Sequence, residues 1–199
     1  YGIAWSLMQQ EKYGPARKEL EPLLVAGRND SISQEALLAD GVCLRKLGKP
    51  TEAIAGLEKF LAAKPTGASL ANCLYEMGMA YVDVKQPEKA QAQFERIAVE
   101  VPDYAAMDKV LYELGWLAEE RTDGAAAATY FGQLVEKYSS SELVPESLYH
   151  VGQSQYNAEK YAEAARSYTS VIDKAKSDGL KEKAIYKLGW SLFQQESYE

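Results

Sequence analysis

The sequence predicts an all-α fold in which antiparallel helix pairs stack one on the next as an α-solenoid. The main observation is a period of 37 residues that runs through the chain of 199 residues. The period is marked by five equally spaced glycines: Gly41, Gly78, Gly115, Gly152 and Gly189. Segments 5–13 and 190–198, five periods apart, agree in seven of nine positions. Fixed periods of roughly 20–50 residues are the signature of stacked repeats, whose units bury their apolar faces only against neighbours.

Helical spacing divides each period into two helices, here called helix A and helix B. Apolar residues recur three and four positions apart, which is the spacing of one helix face. Helix A carries the glycine, or Ala4 in the first unit, and this site is taken as position 0. Helix B carries an alanine at position +12: Ala16, Ala53, Ala90, Ala127 and Ala164. A large apolar residue follows at position +16: Leu20, Leu57, Phe94, Phe131 and Tyr168. The small residues are expected to let the two helices cross closely.

Helix boundaries repeat in the same register. Residues that cap helix N-termini recur at position +25: Asn29, Thr66, Asp103, Ser140 and Ser177. Helix breakers or small polar residues separate A from B at Lys49-Pro50, Gln86-Pro87 and Asp123-Gly124. The sequence therefore predicts a single array over residues 1–199 with about five and a half repeats. Its units are a partial repeat 1–29, repeats 30–66, 67–103, 104–140 and 141–177, and a partial repeat 178–199.

The segment Leu74-Tyr-Glu-Met-Gly78-Met-Ala-Tyr81, followed by Ala90, Phe94, Ile97 and Pro102, resembles the tetratricopeptide repeat. The resemblance implies a right-handed superhelix of helix pairs, a TPR α-solenoid. The usual unit has about 34 residues. The three extra residues here fall before helix A and are expected to lengthen its start by about one turn.

The long period and the segment from Tyr138 to Tyr149 resemble those of two bacterial envelope members of the family, the outer-membrane assembly lipoprotein and the Tol–Pal-associated coordinator. This similarity implies a periplasmic or cell-envelope location, with a cytoplasmic scaffold as the alternative. Apolar residues open and close the chain, among them Trp5, Leu7, Trp190 and Phe193. Because arrays need polar ends, we expect the chain to be part of a longer protein.

Composition excludes several classes of function. The net charge is −7, from 22 basic and 29 acidic residues, which disfavours phosphate and RNA binding. The weakly polar stretch 124–132 is much shorter than the ~20 apolar residues of a membrane span, so no membrane insertion is expected. With one histidine and two cysteines, no metal site, cofactor or catalytic constellation is predicted. We therefore do not expect an enzyme.

One stripe of helix A, at positions −3, +1, +4 and +5, lies roughly 140° around the helix from the positions that face helix B. In tetratricopeptide arrays this stripe lines a groove that holds peptides or helices of partner proteins. The residues predicted to form the groove are Tyr75, Met79, Tyr112, Trp116, Glu119, Glu120, Tyr149, His150, Gln153, Tyr156, Tyr186 and Trp190. Repeated Tyr beside Trp is typical of binding hot spots. The alternative is that the tyrosines only pack on neighbouring helices.

The predicted groove is acidic in its middle, through Glu76, Asp83, Glu113, Glu119 and Glu120. These carboxylates favour a ligand with basic flanks, and the alternative is that they form an ordinary solvated face. His150 is expected to be a surface or partner-contacting side chain, because no residue pairs with it in the sequence. Cys43 and Cys73 are expected to be buried thiols, since their registers differ by about 10 Å along the helix axis.

The sequence therefore predicts a protein-interaction scaffold that binds a peptide or helix of a partner protein in its groove. The alternative is a structural module that oligomerises through repeat ends or helix B faces.

Overall fold

A computed structural model describes residues 1–24 and 30–196. Within these residues the chain forms eleven α-helices, one short 3-10 helix (Glu21–Leu23) and no β-strand, which confirms the all-α class. The helices form two compact units, Tyr1–Ala105 and Ala106–Glu199. The N-cap predicted at Asn29 and the last two positions of segment 190–198 lie outside the described residues. The division into five and a half repeats stays a prediction.

Consecutive helices pack as pairs in both units. The first unit contains α1 (Gly2–Gln9) with α2 (Tyr13–Leu20), α3 (Ser31–Lys46) with α4 (Pro50–Ala62), and α5 (Gly67–Asp83) with α6 (Pro87–Glu100). The second unit contains α7 (Met107–Glu120) with α8 (Gly124–Lys137), α9 (Val144–Asn157) with α10 (Tyr161–Lys174), and α11 (Asp178–Glu196). Odd-numbered helices carry the helix A positions and even-numbered helices carry the helix B positions.

Glycine at position 0 makes room for the large side chain at position +16. A Cβ atom at Gly78 or Gly115 would lie 2.6 Å from the ring of Phe94 or Phe131, respectively. The corresponding distances are 2.6 Å from Gly41 to Leu57 and 2.9 Å from Gly152 to Tyr168. A large helix B side chain thus lies directly on the glycine, in the space that a Cβ atom would occupy.

The turn from helix A to helix B repeats one backbone conformation. The residue two positions before helix B has a positive φ in all five pairs: Glu11 (57°), Gly48 (74°), Lys85 (57°), Thr122 (59°) and Glu159 (61°). The following N–H donates to a carbonyl five residues back, as from Lys49 to Leu44 and from Asp123 to Ala118, both at 2.9 Å. This is the Schellman arrangement that ends helices in a left-handed residue. Only one of the five turns uses glycine there.

Two of the predicted helix starts are wrong. Helices α7 and α9 begin at Met107 and Val144, with Ala106 and Leu143 as N-caps, and not after Asp103 and Ser140. In α9 the cause is Pro145, which lies in the first turn, where its missing N–H costs nothing. The extra turn is therefore present in α3 and α5, which have 16 and 17 residues, but absent from α7 and α9, which have 14 each.

The other described caps agree better with the sequence. Thr66 is the N-cap of α5, although its side chain makes no capping hydrogen bond, and α11 begins directly after Ser177. At α3 the capping side chain is Asp30, whose Oδ1 accepts from the Ser33 N–H at 2.9 Å.

Both cysteines are free and buried, as predicted. The Cys73 Sγ lies 3.7 Å from the Leu57 carbonyl oxygen. Burial raises the pKa of Cys43 to about 11 and that of Cys73 to about 12. These thiols fill space in the core and are poor nucleophiles.

Candidate functional site

The tyrosines at position −3 pack against the helix B ring at position +16 of their own pair. Ring centroids are 5.7 Å apart for Tyr75 and Phe94, 5.9 Å for Tyr112 and Phe131, and 5.7 Å for Tyr149 and Tyr168. All three tyrosines are half-buried. Part of each tyrosine ring is therefore buried by packing on the neighbouring helix, which is the alternative to ligand binding that the sequence analysis left open.

The first unit contains an open pocket of about 490 Å³ on the predicted stripe. Seven of its residues occupy the stripe positions −3, +1, +4 and +5, and the others lie at positions −6 and −2 of α3 and α5, at the start of α2 and in the turn and loop nearby. The lining residues are Tyr1, Trp5, Met8, Gln9, Glu11, Tyr13, Leu38, Ala39, Val42, Asn72, Tyr75, Glu76 and Tyr104. This set is called the α1–α5 pocket below. Its size and mainly apolar lining are typical of a binding cleft.

Two aromatic side chains leave much of their surface open at this pocket. Trp5 is 51% exposed and Tyr1 is 38% exposed. Burial, with a smaller effect of Glu35, raises the pKa of Tyr1. A half-exposed Trp offers a large rigid apolar surface that loses little entropy on binding. Trp5 is therefore the strongest contact residue that the pocket presents.

The polar groups at the pocket largely satisfy one another. Tyr104 OH donates to Asn72 Oδ1 at 2.8 Å. Glu76 Oε2 accepts from Arg45 Nε at 2.8 Å, and Asp83 Oδ2 lies 3.8 Å from Arg45 Nη1. Burial, with a smaller effect of Glu76, raises the pKa of Tyr104. The Arg45 guanidinium thus compensates the negative charges of both Glu76 and Asp83. This part of the predicted acidic surface therefore carries less uncompensated charge than the sequence indicated.

In the second unit the predicted residues form a packed aromatic cluster around His150. The imidazole stacks on Phe131 with ring centroids 4.8 Å apart and meets Trp116 edge-on at 4.6 Å. Its Nδ1 lies 2.7 Å from Glu119 Oε1, and its side chain is only 11% exposed. The expectation of a surface histidine is wrong, since so little of the side chain is exposed, whereas contact with a partner protein stays a prediction. The sequence did not reveal the pairing because Glu119 lies 31 residues away, on the preceding helix A.

Tyr112 and Trp116 belong to the same cluster. Their rings lie 6.1 Å apart, and that of Trp116 lies 6.3 Å from Phe131. Burial, with a smaller effect of Glu146, raises the pKa of Tyr112 to about 12. Both residues are half-buried, so truncating them removes core packing as well as any ligand contact.

The remaining predicted residues are divided between packed and exposed positions. Gln153 Nε2 donates to Asn157 Oδ1 at 3.0 Å, and the Tyr156 ring packs on Tyr161 at 5.2 Å. Met79 is half-buried and Glu120 is exposed, and neither lines a described pocket. Tyr186 and Trp190 are exposed on α11. Of the twelve predicted residues, the α1–α5 pocket includes only Tyr75.

The helix A register missed several residues of the pocket. Tyr104 lies in the segment after α6, where a helical register carries no information. Asn72 lies at position −6 of α5, outside the stripe, where it lines the pocket and accepts a hydrogen bond from Tyr104. By contrast, Tyr1, Trp5, Leu38 and Val42 occupy the −3 and +1 positions that the stripe contains.

No described helix has both the length and the apolar character needed to cross a bilayer. Within residues 1–24 and 30–196, no group of three or more His, Cys, Asp or Glu side chains is arranged to hold a metal ion.

The repeat geometry agrees with a family profile. The tetratricopeptide repeat profile matches residues 1–68, 75–142 and 112–179. The chain therefore belongs to the tetratricopeptide repeat family, whose members generally mediate protein–protein interactions.

Similar solved structures include pilF of Pseudomonas aeruginosa, with a TM-score of 0.74 and 16% identity over 99% of this chain and 89% of that one. A tetratricopeptide repeat protein of Parabacteroides merdae has a TM-score of 0.72 and 16% identity over 98% of this chain and 76% of that one. MamA of Desulfovibrio magneticus has a TM-score of 0.70 and 19% identity, with 89% and 93% covered. Among curated protein sequences, none is significantly similar. These identities show a shared fold alone.

Proposed function

We propose that this protein is an interaction scaffold and that its α1–α5 pocket binds a peptide or helix of a partner protein. The observation that carries this proposal is the aromatic pocket of about 490 Å³ with the half-exposed Trp5 in its wall. Membership of a family that generally mediates protein–protein interactions supports it. The aromatic cluster of the second unit, by contrast, uses most of its surface for packing.

The chemistry of the pocket favours a ligand with apolar anchors. Trp5, Met8, Leu38, Val42 and the tyrosines supply apolar and aromatic surface. Gln9 and Asn72 offer amides that can bond to a peptide backbone, and Glu11 is an exposed carboxylate at the edge. With a net charge of −7 on the chain, a segment with basic flanks is electrostatically preferred.

The test uses a phage-displayed library of random 16-residue peptides selected on the intact protein. Trp5→Ala removes the exposed pocket side chain, and Trp190→Ala is the matched control at the same repeat position on α11, outside the pocket. We expect a class of clones whose affinity falls at least about tenfold in Trp5→Ala and stays unchanged in Trp190→Ala. The proposal fails if no clone is enriched, or if every enriched clone binds Trp5→Ala as tightly as the wild type.

A second candidate is an assembly module that oligomerises through a repeat end. The observation that favours it is the row of exposed apolar side chains on α11, including Ile185, Leu192 and Phe193. Sedimentation velocity over a range of protein concentrations separates the two functions. A sedimentation coefficient that rises with concentration supports assembly, whereas a strict monomer argues against it.

We also propose a location in the bacterial cell envelope, because the 37-residue period and segment 138–149 resemble those of bacterial envelope members of the family. Fractionation of the native organism with an antibody to this protein tests the location. Recovery in the cytoplasm alone would contradict it.

A further inference from the structure

Among the described residues, the lining of the α1–α5 pocket contains aromatic rings and carboxylates but no lysine, arginine or histidine. Two of its thirteen residues are glutamates, Glu11 and Glu76, and five are aromatic. The aromatic residues are Tyr1, Trp5, Tyr13, Tyr75 and Tyr104. The faces of aromatic rings carry negative electrostatic potential, so rings and carboxylates both attract cations. The lining therefore favours a positively charged ligand group.

The wall that α5 contributes stays acidic although Glu76 has an ion-pair partner. The Glu76 side chain is 17% exposed, and its Oε2 accepts from Arg45 Nε at 2.8 Å. Asp83 Oδ2 lies 3.8 Å from Nη1 of the same guanidinium. One guanidinium is thus shared by two carboxylates, so the formal charges of the three groups sum to −1. An incoming cation meets a net negative charge at this wall.

The polar groups of the lining are rich in hydrogen-bond acceptors. An ionised carboxylate accepts hydrogen bonds only, and Asn72 Oδ1, which accepts from Tyr104 OH at 2.8 Å, keeps a second lone pair. Burial and, to a smaller extent, the charge of Glu76 raise the pKa of Tyr104, so this tyrosine lies within the field of that carboxylate. The aromatic and acidic groups therefore act on the same part of the pocket.

We propose that the α1–α5 pocket binds an arginine side chain of the partner peptide, with the guanidinium between Glu76 and the aromatic rings. A guanidinium is planar, has five N–H donors and no acceptor, and stacks on aromatic faces. The aliphatic stem of the arginine packs on Leu38 and Val42, which also line the pocket. Lysine is a poorer match, because its ammonium is a compact and strongly hydrated charge. This inference rests on the proposed function, since it names the ligand group of the same pocket.

The test starts from the Trp5-dependent clones of the peptide selection described above, which are expected to share an arginine at one position. The tightest clone is made as a fluorescein-labelled synthetic peptide, and a second peptide carries citrulline in place of that arginine. Citrulline keeps the length and planar end group of arginine but has no charge. We expect it to weaken binding, measured by fluorescence anisotropy on the intact protein, by at least about tenfold. Added NaCl should weaken binding of the arginine peptide more than that of the citrulline peptide.

Three protein variants locate the guanidinium. Glu76→Gln is expected to weaken binding of the arginine peptide by about tenfold and to leave the citrulline peptide within about twofold. Glu113→Gln is the matched control, because Glu113 has the same repeat position, −2, on α7 but does not line the pocket, and it leaves both peptides unchanged. Glu11→Gln changes an exposed side chain at the pocket edge, away from the Arg45 pair, and should weaken the arginine peptide by about two- to threefold. Thermal unfolding followed by circular dichroism shows which variants fold.

Three results would overturn this inference and leave the proposed function in place. The first is a set of Trp5-dependent clones without a shared arginine. The second is equal binding of the arginine and citrulline peptides. The third is an equal loss of both peptides in Glu76→Gln, which shows that Glu76 acts through packing and not through its charge. If Glu76→Gln does not fold, the citrulline peptide and Glu11→Gln decide. The absence of any Trp5-dependent clone overturns the proposed function and this inference together.

Discussion

Replacing Gly115 by alanine tests whether the repeated glycines exist to seat the helix B side chains. The new Cβ would lie 2.6 Å from two ring atoms of Phe131 and 2.9 Å from a third. The Phe131 ring cannot retreat easily, because it is fully buried and packs against Tyr112 at 5.9 Å and His150 at 4.8 Å. The substitution therefore forces either a ring or a helix to move.

The magnitude follows from two opposing effects. Overpacking a well-filled core costs typically about 1–3 kcal/mol, and three short contacts place this site near about 3 kcal/mol. Alanine is preferred to glycine inside a helix by about 1 kcal/mol. The net loss is about 2 kcal/mol, which lowers the melting temperature of a chain of this size by roughly 4–8 °C.

Gly189→Ala is the matched control, since the residue has the same repeat position but no described residue has an atom within 4 Å of the added Cβ. Only the helix preference acts there, so we expect this variant to melt at or slightly above the wild-type temperature. Gly152→Ala, with its nearest ring atom at 2.9 Å, is expected to lie between the two. Circular dichroism at 222 nm gives all three midpoints. If Gly115→Ala is as stable as the wild type, or Gly189→Ala is destabilised equally, the packing explanation is refuted.

Three further predictions concern single side chains. Tyr168→Phe is expected to raise the unfolding free energy by about 1 kcal/mol, because the Tyr168 hydroxyl is fully buried and no described residue hydrogen-bonds to it; an unchanged denaturant midpoint would argue against this. Thr122→Gly is expected to raise the unfolding free energy of the protein by about 1 kcal/mol, because a β-branched residue is strained at φ 59°. Gly48→Thr in the equivalent turn should lower it, and equal denaturant midpoints for the two variants would contradict the strain. Cys43 and Cys73 should react with a disulfide reagent at pH 8 at least about a hundredfold more slowly in the folded than in the denatured chain, because burial raises their pKa values from 9.0 to about 11 and about 12, respectively. The same raised pKa values predict that the unfolding free energy falls as the pH rises above 9, where the thiols of the unfolded chain lose their protons. Equal reaction rates would show that the thiols are accessible.

The sequence alone determined the repeat and the pairing of helices. The small residue at position 0 of helix A and the large apolar residue at position +16 of helix B lie in the same unit, and both recur in every period. This repeated pattern of residue types is enough to predict which helices pack together. The helix boundaries were predicted less well where two local signals compete. At the start of α9 the capping preference of Ser140 favours an early start, whereas Pro145 favours a later one, and the proline prevails because a missing N–H is tolerated only in the first turn.

The tertiary structure decided how individual side chains are used. The sequence placed Tyr75, Tyr112 and Tyr149 in equivalent positions, and each packs against the ring at position +16 of the next helix. Their exposure depends on that neighbour and not on their own register. The partners of charged residues are equally non-local. Asp40 precedes Gly41, where the other units have Met77, Leu114, Val151 and Leu188, and its carboxylate pairs with Arg17 at 2.7 Å. Contacts between residues 19 to 31 positions apart on different helices, such as Tyr112 with Phe131 and His150 with Glu119, set burial and charge compensation, and no local pattern encodes them.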